Sequence, residues 1–263
     1  PFRCSYCHIS GEVHDSSAGS IGSYRVKSDD RVLEELRILK DLGVKQVFIE
    51  DDSLLGIKPR AKRLLKKIKD FGFDILDVNG VNILHLLRHD SGYKGEVDFE
   101  MLEALKEAGF SEITLPFESA NPRLIKKYAS NKWDISTSNI DALLKALNDF
   151  GFRCPGNFMI GYPDETREEI NNTITYAQSL IDKGMSGAAF FLVMPLPGTT
   201  LFEEATKKGY LPKDFSPDRM HWQKANMVNT EVPPQELEQI RDVAWASTNN
   251  VEYVKYKKSM RSK

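Results

Sequence analysis

The sequence has only three cysteines in 263 residues, too few for the disulfide framework that holds many small secreted domains together. We therefore expect the protein to work in a reducing cytoplasm, without a secretory leader. No apolar run approaches the roughly 20 residues that a membrane-spanning helix needs. Basic and acidic residues nearly balance, at a net charge of −2, so the composition predicts no nucleic-acid-binding surface.

The sequence also lacks the G-x-G-x-x-G pattern of a Rossmann dinucleotide site, although strand-like and helical segments alternate along it. Five short apolar runs alternate with amphipathic helices, which is the spacing of β/α units. The predicted strands are 45–50, 74–79, 111–117, 152–160 and 186–194. Such alternation predicts a parallel sheet, either closed towards a barrel or open and doubly wound.

Local signals mark the ends of the predicted helices. Glycines such as Gly43, Gly109 and Gly151 follow the apolar helical stretches, where a residue that tolerates a left-handed backbone is favoured. Two capping boxes, beginning at Thr166 and Thr200, predict the starts of two later helices.

Two of the three cysteines, Cys4 and Cys7, form a C-x2-C pair, with the aromatic Tyr6 just before the second. Zinc sites and thioredoxin-like redox sites also use such pairs. A zinc site would need a second ligand pair, which is missing, and a redox pair usually opens a helix, whereas a Gly- and Ser-rich stretch follows here. A cysteine directly before Pro1 would complete C-x3-C-x2-C, and we expect one there. Three thiolates at this spacing can hold three irons of a cubane cluster.

Polar residues follow all five predicted strands. Any one group could serve a turn or a helix cap. The carboxyl ends of parallel strands meet at one face of a barrel, however, so five groups together predict a binding site there. The segments concerned are Glu50-Asp51-Asp52-Ser53, Asn79-Gly80-Val81-Asn82, Glu118-Ser119-Ala120-Asn121, Gly161-Tyr162-Pro163-Asp164-Glu165 and Pro195-Leu196-Pro197-Gly198-Thr199.

With these segments in place, the chain closely resembles the radical S-adenosylmethionine (SAM) enzymes over nearly its whole length. The cysteine pair matches the family's cluster loop, and Glu50-Asp51-Asp52 looks like its acidic stretch after the second strand. Residues 117–121, 159–166 and 194–202 are similar to its later motifs, although Pro116-Phe117 stands where the family often has glycine. The last two segments resemble the branch that often carries an N-terminal cobalamin-binding domain and includes methyltransferases and ring-forming enzymes.

The resemblance implies a partial (β/α)6 barrel of radical SAM type, whose first strand and first cluster cysteine lie upstream of this chain. Residues 1–209 would form the barrel core and 210–263 a helical C-terminal extension that covers it. The implied cofactors are a [4Fe-4S] cluster, held in part by Cys4 and Cys7, and SAM. A cobalamin domain upstream is left open. The implied partner is an electron donor such as flavodoxin or ferredoxin.

The resemblance also implies which side chains contact SAM. Glu50, Asp51 or Asp52 would accept hydrogen bonds from the SAM ammonium, a charge-assisted interaction. The other expected contacts are Tyr6 and Gly161 near the adenine, Asn79, Glu118 and Ser119 at the ribose or methionyl groups, and Arg123 with Lys126 and Lys127 at the carboxylate. An exposed helix start is an equally good interpretation of these three basic residues.

In this family the reduced cluster cleaves SAM to methionine and a 5′-deoxyadenosyl radical, which abstracts hydrogen from the substrate. We therefore predict a radical SAM enzyme of unknown substrate, with cobalamin-dependent methyl transfer or ring formation as its candidate reactions. Two other classes stay open, a scaffold barrel that has lost its cluster and a metal-independent barrel hydrolase or aldolase. The polar strand ends count against the scaffold, and the lack of a lysine at any strand's carboxyl end counts against the hydrolase or aldolase.

Overall fold

The structure is a computed structural model, and it describes residues 2–10, 24–77, 79–88 and 95–261. The strands are β1 Gln46–Ile49, β2 Asp74–Asp77, β3 Phe110–Glu112, β4 Leu115–Glu118, β5 Pro155–Ile160 and β6 Gly187–Leu192. The helices are α1 Asp29–Asp41, α2 Lys58–Ile68, α3 Phe99–Glu107, α4 Pro122–Tyr128, α5 Ile140–Asp149, α6 Arg167–Asp182, α7 Thr200–Lys207, α8 Pro234–Thr248 and α9 Val251–Arg261. Most of the Gly- and Ser-rich stretch after Cys7 lies outside the described residues, as does Val78 in the predicted strand 74–79.

All strand pairs are parallel, as the alternation of strands and helices predicts. Within the described residues the strands form two sheets, in the orders β1-β2-β3 and β4-β5-β6. The prediction of one strand over 111–117 is therefore wrong in detail, because this run pairs first with β2 and then with β5. Its Ile113 N–H donates to the Arg153 carbonyl at 2.9 Å, and its Thr114 carbonyl accepts from Val81 at 2.9 Å. Residues 110–118 thus join the two sheets.

Strand β4 ends in an irregularity that shapes the site. The pairing with β5 shifts between Pro116 and Glu118, and Glu118 has a φ of 64°. A left-handed backbone costs a non-glycine residue on the order of 1–3 kcal/mol and persists only where the surroundings impose it. Irregularities of this kind redirect side chains out of the regular alternation of a strand. Here the side chain concerned is the predicted site residue Glu118.

Helices α1 to α8 each bury apolar residues in the core, whereas none of the described side chains of α9 is buried. Helix α2 buries Ala61, Leu64, Leu65 and Ile68, the three- and four-residue spacing predicted for it. The outer faces of the second sheet carry stacked rings, with Phe158 at 5.2 Å from Phe117 and 5.4 Å from Phe190. Because these rings come from three neighbouring strands, they hold the sheet together beneath the helices.

The two predicted capping boxes have different outcomes. At α6 the Thr166 hydroxyl accepts from the Glu169 N–H and the Glu169 carboxylate accepts from the Thr166 N–H, which confirms the prediction. At α7 the cap is Thr199, whose hydroxyl accepts from the Phe202 N–H at 3.1 Å. Thr200 is instead the first helical residue, because Thr199 keeps the extended backbone that a capping residue needs.

The C-terminal segments contact two ends of the strands. The Trp222 carbonyl accepts from Leu192 N–H at 2.8 Å, at the carboxyl end of β6. In contrast, α9 places Tyr253 against Gly187, the first residue of β6, and Tyr256 under the Arg153 guanidinium at 4.0 Å. Helix α9 therefore packs at the amino-terminal end of the strands. No helix within the described ranges has the length and hydropathy needed to cross a membrane.

We expect Gly109→Ala to destabilise the protein more than Gly43→Ala. Both glycines have left-handed φ values, 100° and 78°, so alanine strains each backbone by about 1–2 kcal/mol. A Cβ at Gly109 would also collide with the Phe73 carbonyl, whereas one at Gly43 meets nothing within 4 Å. Urea denaturation measures both free energies of unfolding. Equal losses would contradict the steric contribution at Gly109.

Candidate functional site

The cysteine loop is held by backbone hydrogen bonds to two helices. Within it the Cys7 N–H donates to the Cys4 carbonyl at 3.1 Å, which closes a turn. Ser5 N–H donates to the carbonyl of Tyr128 at 2.8 Å, and the Ser5 carbonyl accepts from Leu201 N–H at 3.0 Å. The few residues of the loop are therefore fixed between the end of α4 and the start of α7.

The loop lies on a large cavity that extends from the carboxyl ends of the strands along β1 to apolar residues of α1 and α2, such as Leu36 and Leu64. The cavity has a volume of about 1400 Å³, enough for a nucleoside cofactor together with a further molecule. Its lining includes the predicted site residues Cys4, Tyr6, Cys7, Glu50, Asp51, Asp52, Asn79 and Glu118. Residues from three strand ends and the N-terminal loop, far apart in the sequence, thus meet on one surface.

The acidic stretch after β1 forms one rim of this cavity. Glu50, Asp51 and Asp52 are exposed, and Asn79 donates its side-chain N–H to the Glu50 carbonyl at 2.7 Å. This bond joins the residues that follow β1 and β2. Carboxylates in this position can accept hydrogen bonds from a ligand ammonium.

Glu118 forms a buried ion pair with Lys132. The two side chains are about equally buried, at 10% and 11% of full exposure, and Lys132 also lines the cavity. Burial raises the pKa of the Cys4 thiol, and the nearby Lys132 ammonium opposes that rise. The sequence carries no motif that singles out Lys132, although a carboxylate ending an apolar strand requires a cation or donor somewhere.

Three predicted contact residues do not line the cavity. Ser119 is fully buried, and its hydroxyl is 3.2 Å from the hydroxyl of Thr173. Arg123 is on the surface, in ion pairs with Asp164 at 2.8 Å and Glu169 at 2.7 Å. Gly161 donates its N–H to Glu165 at 2.6 Å. In the structure these residues hold neighbouring backbone in place, and direct contacts with SAM stay predictions.

The two basic residues next to Arg123 are also on the outer surface. Lys127 bridges Asp164 and Glu204 at 2.9 Å and 3.1 Å, and Lys126 is exposed. Neither lines the cavity. Of the basic residues that follow β4, the one at the cavity is therefore Lys132.

The inner faces of β5 and β6 form an opposite wall of mixed character. Pairing places Met159 beside Phe191 and Asn157 beside Ala189, and the larger three of these side chains line the cavity. Trp222 extends this wall, with its ring 5.2 Å from that of Phe191. An acidic rim thus faces a wall with several apolar side chains.

Glu165 is a buried carboxyl next to the strand end. Its Oε2 accepts from the Gly161 and Tyr162 N–H groups, at 2.6 Å and 3.1 Å, while its Oε1 is buried without a partner. Burial raises the pKa of Glu165 to about 8, against the effect of the two N–H donors. Asp77, at the end of β2, has its pKa raised to about 7 by burial as well.

The donor chemistry of the loop fits an iron–sulfur cluster in part. Both Cys4 and Cys7 are outside any disulfide and line the cavity, and the Tyr6 hydroxyl is buried close to the Cys4 thiol. The described residues contain no group of three or more His, Cys, Asp or Glu side chains placed to hold a metal ion. Two thiolates are thus present where a cubane cluster needs three.

The family description "Radical SAM superfamily" matches residues 1–177 of the sequence, more than half of the chain. The chain belongs to the radical SAM superfamily. This confirms the resemblance inferred from the cysteine loop and the strand-end motifs. It also disfavours the metal-independent hydrolase or aldolase.

Individual relatives of this radical SAM chain include methyltransferases. It is 31% identical over 231 residues to an uncharacterized methyltransferase of Pyrococcus horikoshii, covering 87% of this chain and 44% of the relative. It is 26% identical over 206 residues to the cytidylyl-2-hydroxyethylphosphonate methyltransferase of Streptomyces wedmorensis, covering 76% and 35%. The chain therefore spans less than half the length of these curated relatives.

A solved structure supports the fold. The radical SAM methyltransferase TsrM from Kitasatospora setae, with cobalamin and a [4Fe-4S] cluster bound, superposes with a TM-score of 0.61 at 17% identity. The match covers 79% of this chain and 35% of TsrM. The predicted partial barrel of radical SAM type is thereby confirmed. The boundary between core and extension at 209/210 stays a prediction.

We expect Lys132→Met to lower the free energy of unfolding by about 3–5 kcal/mol, because it leaves the Glu118 carboxylate buried without its partner. Adding Glu118→Gln should recover most of that loss, since a neutral amide is cheaper to bury. Lys127→Met breaks an exposed pair and should cost at most about 1 kcal/mol. Urea denaturation compares the three variants. A double variant no more stable than Lys132→Met would contradict the pairing.

The raised pKa values of Glu165 and Asp77 predict a stability that falls with rising pH. A carboxyl that keeps its proton in the folded state stabilises the fold at low pH, and this contribution is lost between its unfolded pKa near 4 and its folded pKa. For Glu165 the window extends to about pH 8. Glu165→Gln keeps the two hydrogen bonds, cannot ionise and should flatten the decline of melting temperature from pH 5 to 8. A steeper decline in this variant would show that Glu165 is ionised when folded.

Proposed function

We propose that this chain forms the core of a radical SAM methyltransferase, with SAM bound in the cavity beside the cysteine loop. The observation that carries the proposal is the meeting of three features on one surface. These are the thiols Cys4 and Cys7, the acidic stretch Glu50–Asp52 and the buried Lys132–Glu118 pair. The two thiols match the sulfur ligands of a cluster. The acidic stretch and Lys132 match the ammonium and the carboxylate of an amino acid.

Cys4 and Cys7 would hold a [4Fe-4S] cluster with two thiolates, and the third thiolate would have to come from outside this chain. When bound, such a cluster would supply the one electron needed to cleave SAM to methionine and a 5′-deoxyadenosyl radical. The protein's own contribution is position. Ser5 fixes the loop through hydrogen bonds to Tyr128 and Leu201, so the two thiolates are held at the cavity wall before any ligand binds.

The methionyl end of SAM carries an ammonium and a carboxylate, and the cavity offers a partner for each. Glu50, Asp51 or Asp52 accepts from the ammonium, and Lys132 faces the carboxylate. A hydrogen bond to a charged group contributes about 1.5–3 kcal/mol, so either loss should weaken SAM binding roughly tenfold or more. The ion pair with Glu118 orients Lys132.

Of the remaining predicted residues, Tyr6 acts at the nucleoside end and the others hold the backbone around the cavity in position. Tyr6 lines the cavity and packs 6.3 Å from Tyr162, a position suited to contact with the adenine. Asn79 stabilises the rim through Glu50, while Ser119, Arg123 and Gly161 fix the backbone after β4 and β5. We assign these three a positioning role.

The wall of Met159, Phe191 and Trp222 excludes water from the place where a radical would form. Exclusion of water prevents side reactions of reactive intermediates. The substrate would approach along this wall.

Methyl transfer is the reaction class that the two curated relatives favour over ring formation. Cobalamin, bound in TsrM, would belong to a part of the protein outside this chain. The one-electron donor would be a flavodoxin or ferredoxin, and the cytoplasmic location inferred from the cysteines stays a prediction. A scaffold barrel without a cluster is the alternative.

A cluster-loading experiment separates the enzyme from the scaffold. We expect the protein extended upstream to include the third cysteine to bind one cluster after anaerobic treatment with iron and sulfide. Residues 1–263 alone should load poorly, with two thiolates. Cys4→Ser and Cys7→Ser should each abolish loading. Cys154→Ser is the matched control, because Cys154 is buried next to Glu112 and its pKa is raised to about 12.

Iron and sulfide content, electron paramagnetic resonance and SAM titration are the measurements. Colourless extended protein, or loading that survives Cys4→Ser and Cys7→Ser, would overturn the proposal. Full loading of residues 1–263 would show that another residue supplies the third ligand. If the protein bound a cluster but had no affinity for SAM, the metal site would be supported and the assignment of the cavity to SAM would be overturned.

A further inference from the structure

The cysteine loop comes close to the protein surface between α4 and α7. Besides the bonds of Ser5, the Arg3 N–H donates to the hydroxyl of Ser130 at 2.7 Å. Arg3 and His8, on either side of the cysteine pair, are exposed, and Cys7 is half-buried. On this side of the molecule, α4, α7 and their side chains are therefore the layer between solvent and a ligand held by the cysteine loop.

A line of aromatic rings crosses this thin layer. The Tyr128 ring, from α4, stacks on Tyr162 at 4.7 Å, and Tyr162 is 6.3 Å from Tyr6 next to Cys7. Tyr128 donates its hydroxyl to the Asp164 carboxylate at 2.5 Å, at the outer end of the line. Contacts between these rings connect α4 to the cysteine loop.

The same face carries an excess of positive charge in a chain whose net charge is negative. Its inner cations are neutralised, since Arg123, Lys127 and Lys208 pair with Asp164, Glu169 and Glu204. Among the described residues, three exposed basic residues of this surface have no ion pair: Arg3, Lys126 and Lys207. The acidic residue of α7 that is likewise exposed and without an ion pair is Glu203. Lysines without an ion pair on the surface nearest the cysteine loop attract an anionic partner.

We propose that the α4/α7 face, defined by α4, α7 and residues 3–8, is the docking site of a small acidic one-electron carrier. This inference rests on the proposed function, because the cluster must be reduced before SAM is cleaved. The carrier is oxidised by one electron, the cluster is reduced by one, and no bond or proton is exchanged. Electron transfer slows steeply with distance, so the partner must dock where the cover over the loop is thinnest.

The test reverses charge on this face and compares reductants. The extended, cluster-loaded protein carries Lys126→Glu with Lys207→Glu, and the matched control carries Lys66→Glu with Lys255→Glu, exposed lysines on α2 and α9. Stopped-flow absorbance follows cluster reduction by reduced flavodoxin or by photoreduced deazaflavin, a small neutral reductant. Titration with oxidised flavodoxin measures binding separately from electron transfer.

We expect the face variant to bind flavodoxin and accept its electron roughly tenfold less well at low salt, with the difference closing at high salt. The control variant should match the unchanged protein, and deazaflavin should reduce all three at one rate. Equal flavodoxin rates in face and control variants would overturn the docking site. The two flavodoxin rates would also be equal if an upstream part of the chain covered this face, and the docking site would be overturned in that case too. Failure to load a cluster would instead contradict the proposed function.

Discussion

The exchange of partners by residues 110–118 is the constraint on which the rest of the molecule depends. This run pairs with β2 at its start and with β5 at its end, so it joins the two described sheets. The shift in register that ends it turns Glu118 into the cavity. Without this segment the acidic rim after β1 and the apolar wall of β5 and β6 would not face each other.

Several ionisable side chains in and around the site are buried, although such groups are normally excluded from a protein interior. Glu118 is buried with Lys132 as its partner, whereas Asp77 and Glu165 are buried with too few partners and have raised pKa values instead. A buried pair of this kind seldom adds stability compared with well-packed apolar residues. At a cavity such a pair is suited to ligand binding, since a ligand's own charges can share the same lysine and carboxylate.

Several features of the site follow from local sequence. The spacing of Cys4 and Cys7 predicts them as cluster ligands. The position of Glu50–Asp52 after an apolar strand predicts a site there, because ligand sites of parallel barrels lie at the carboxyl ends of the strands. Lys132 could not be found this way. It lies in an irregular segment after α4, and only the approach of that segment to β4 makes it the partner of Glu118. Arg123 was predicted at the cavity, but Asp164 and Glu169, from a later loop and helix, hold it at the surface.

The sequence by itself determined the order of strands and helices, their apolar faces and the family, because these depend on periodicity, caps and motifs read within a few residues. It also identified the Thr166 cap, and missed the Thr199 cap by one residue, since two adjacent threonines carry the same local signal. Tertiary structure alone decided the division of strand 111–117, the Glu118–Lys132 pair and the position of α9 at the amino-terminal end of the strands. Each of these depends on contacts between segments distant in the chain, where the partner that comes within hydrogen-bond distance is selected by packing and not by neighbouring residues.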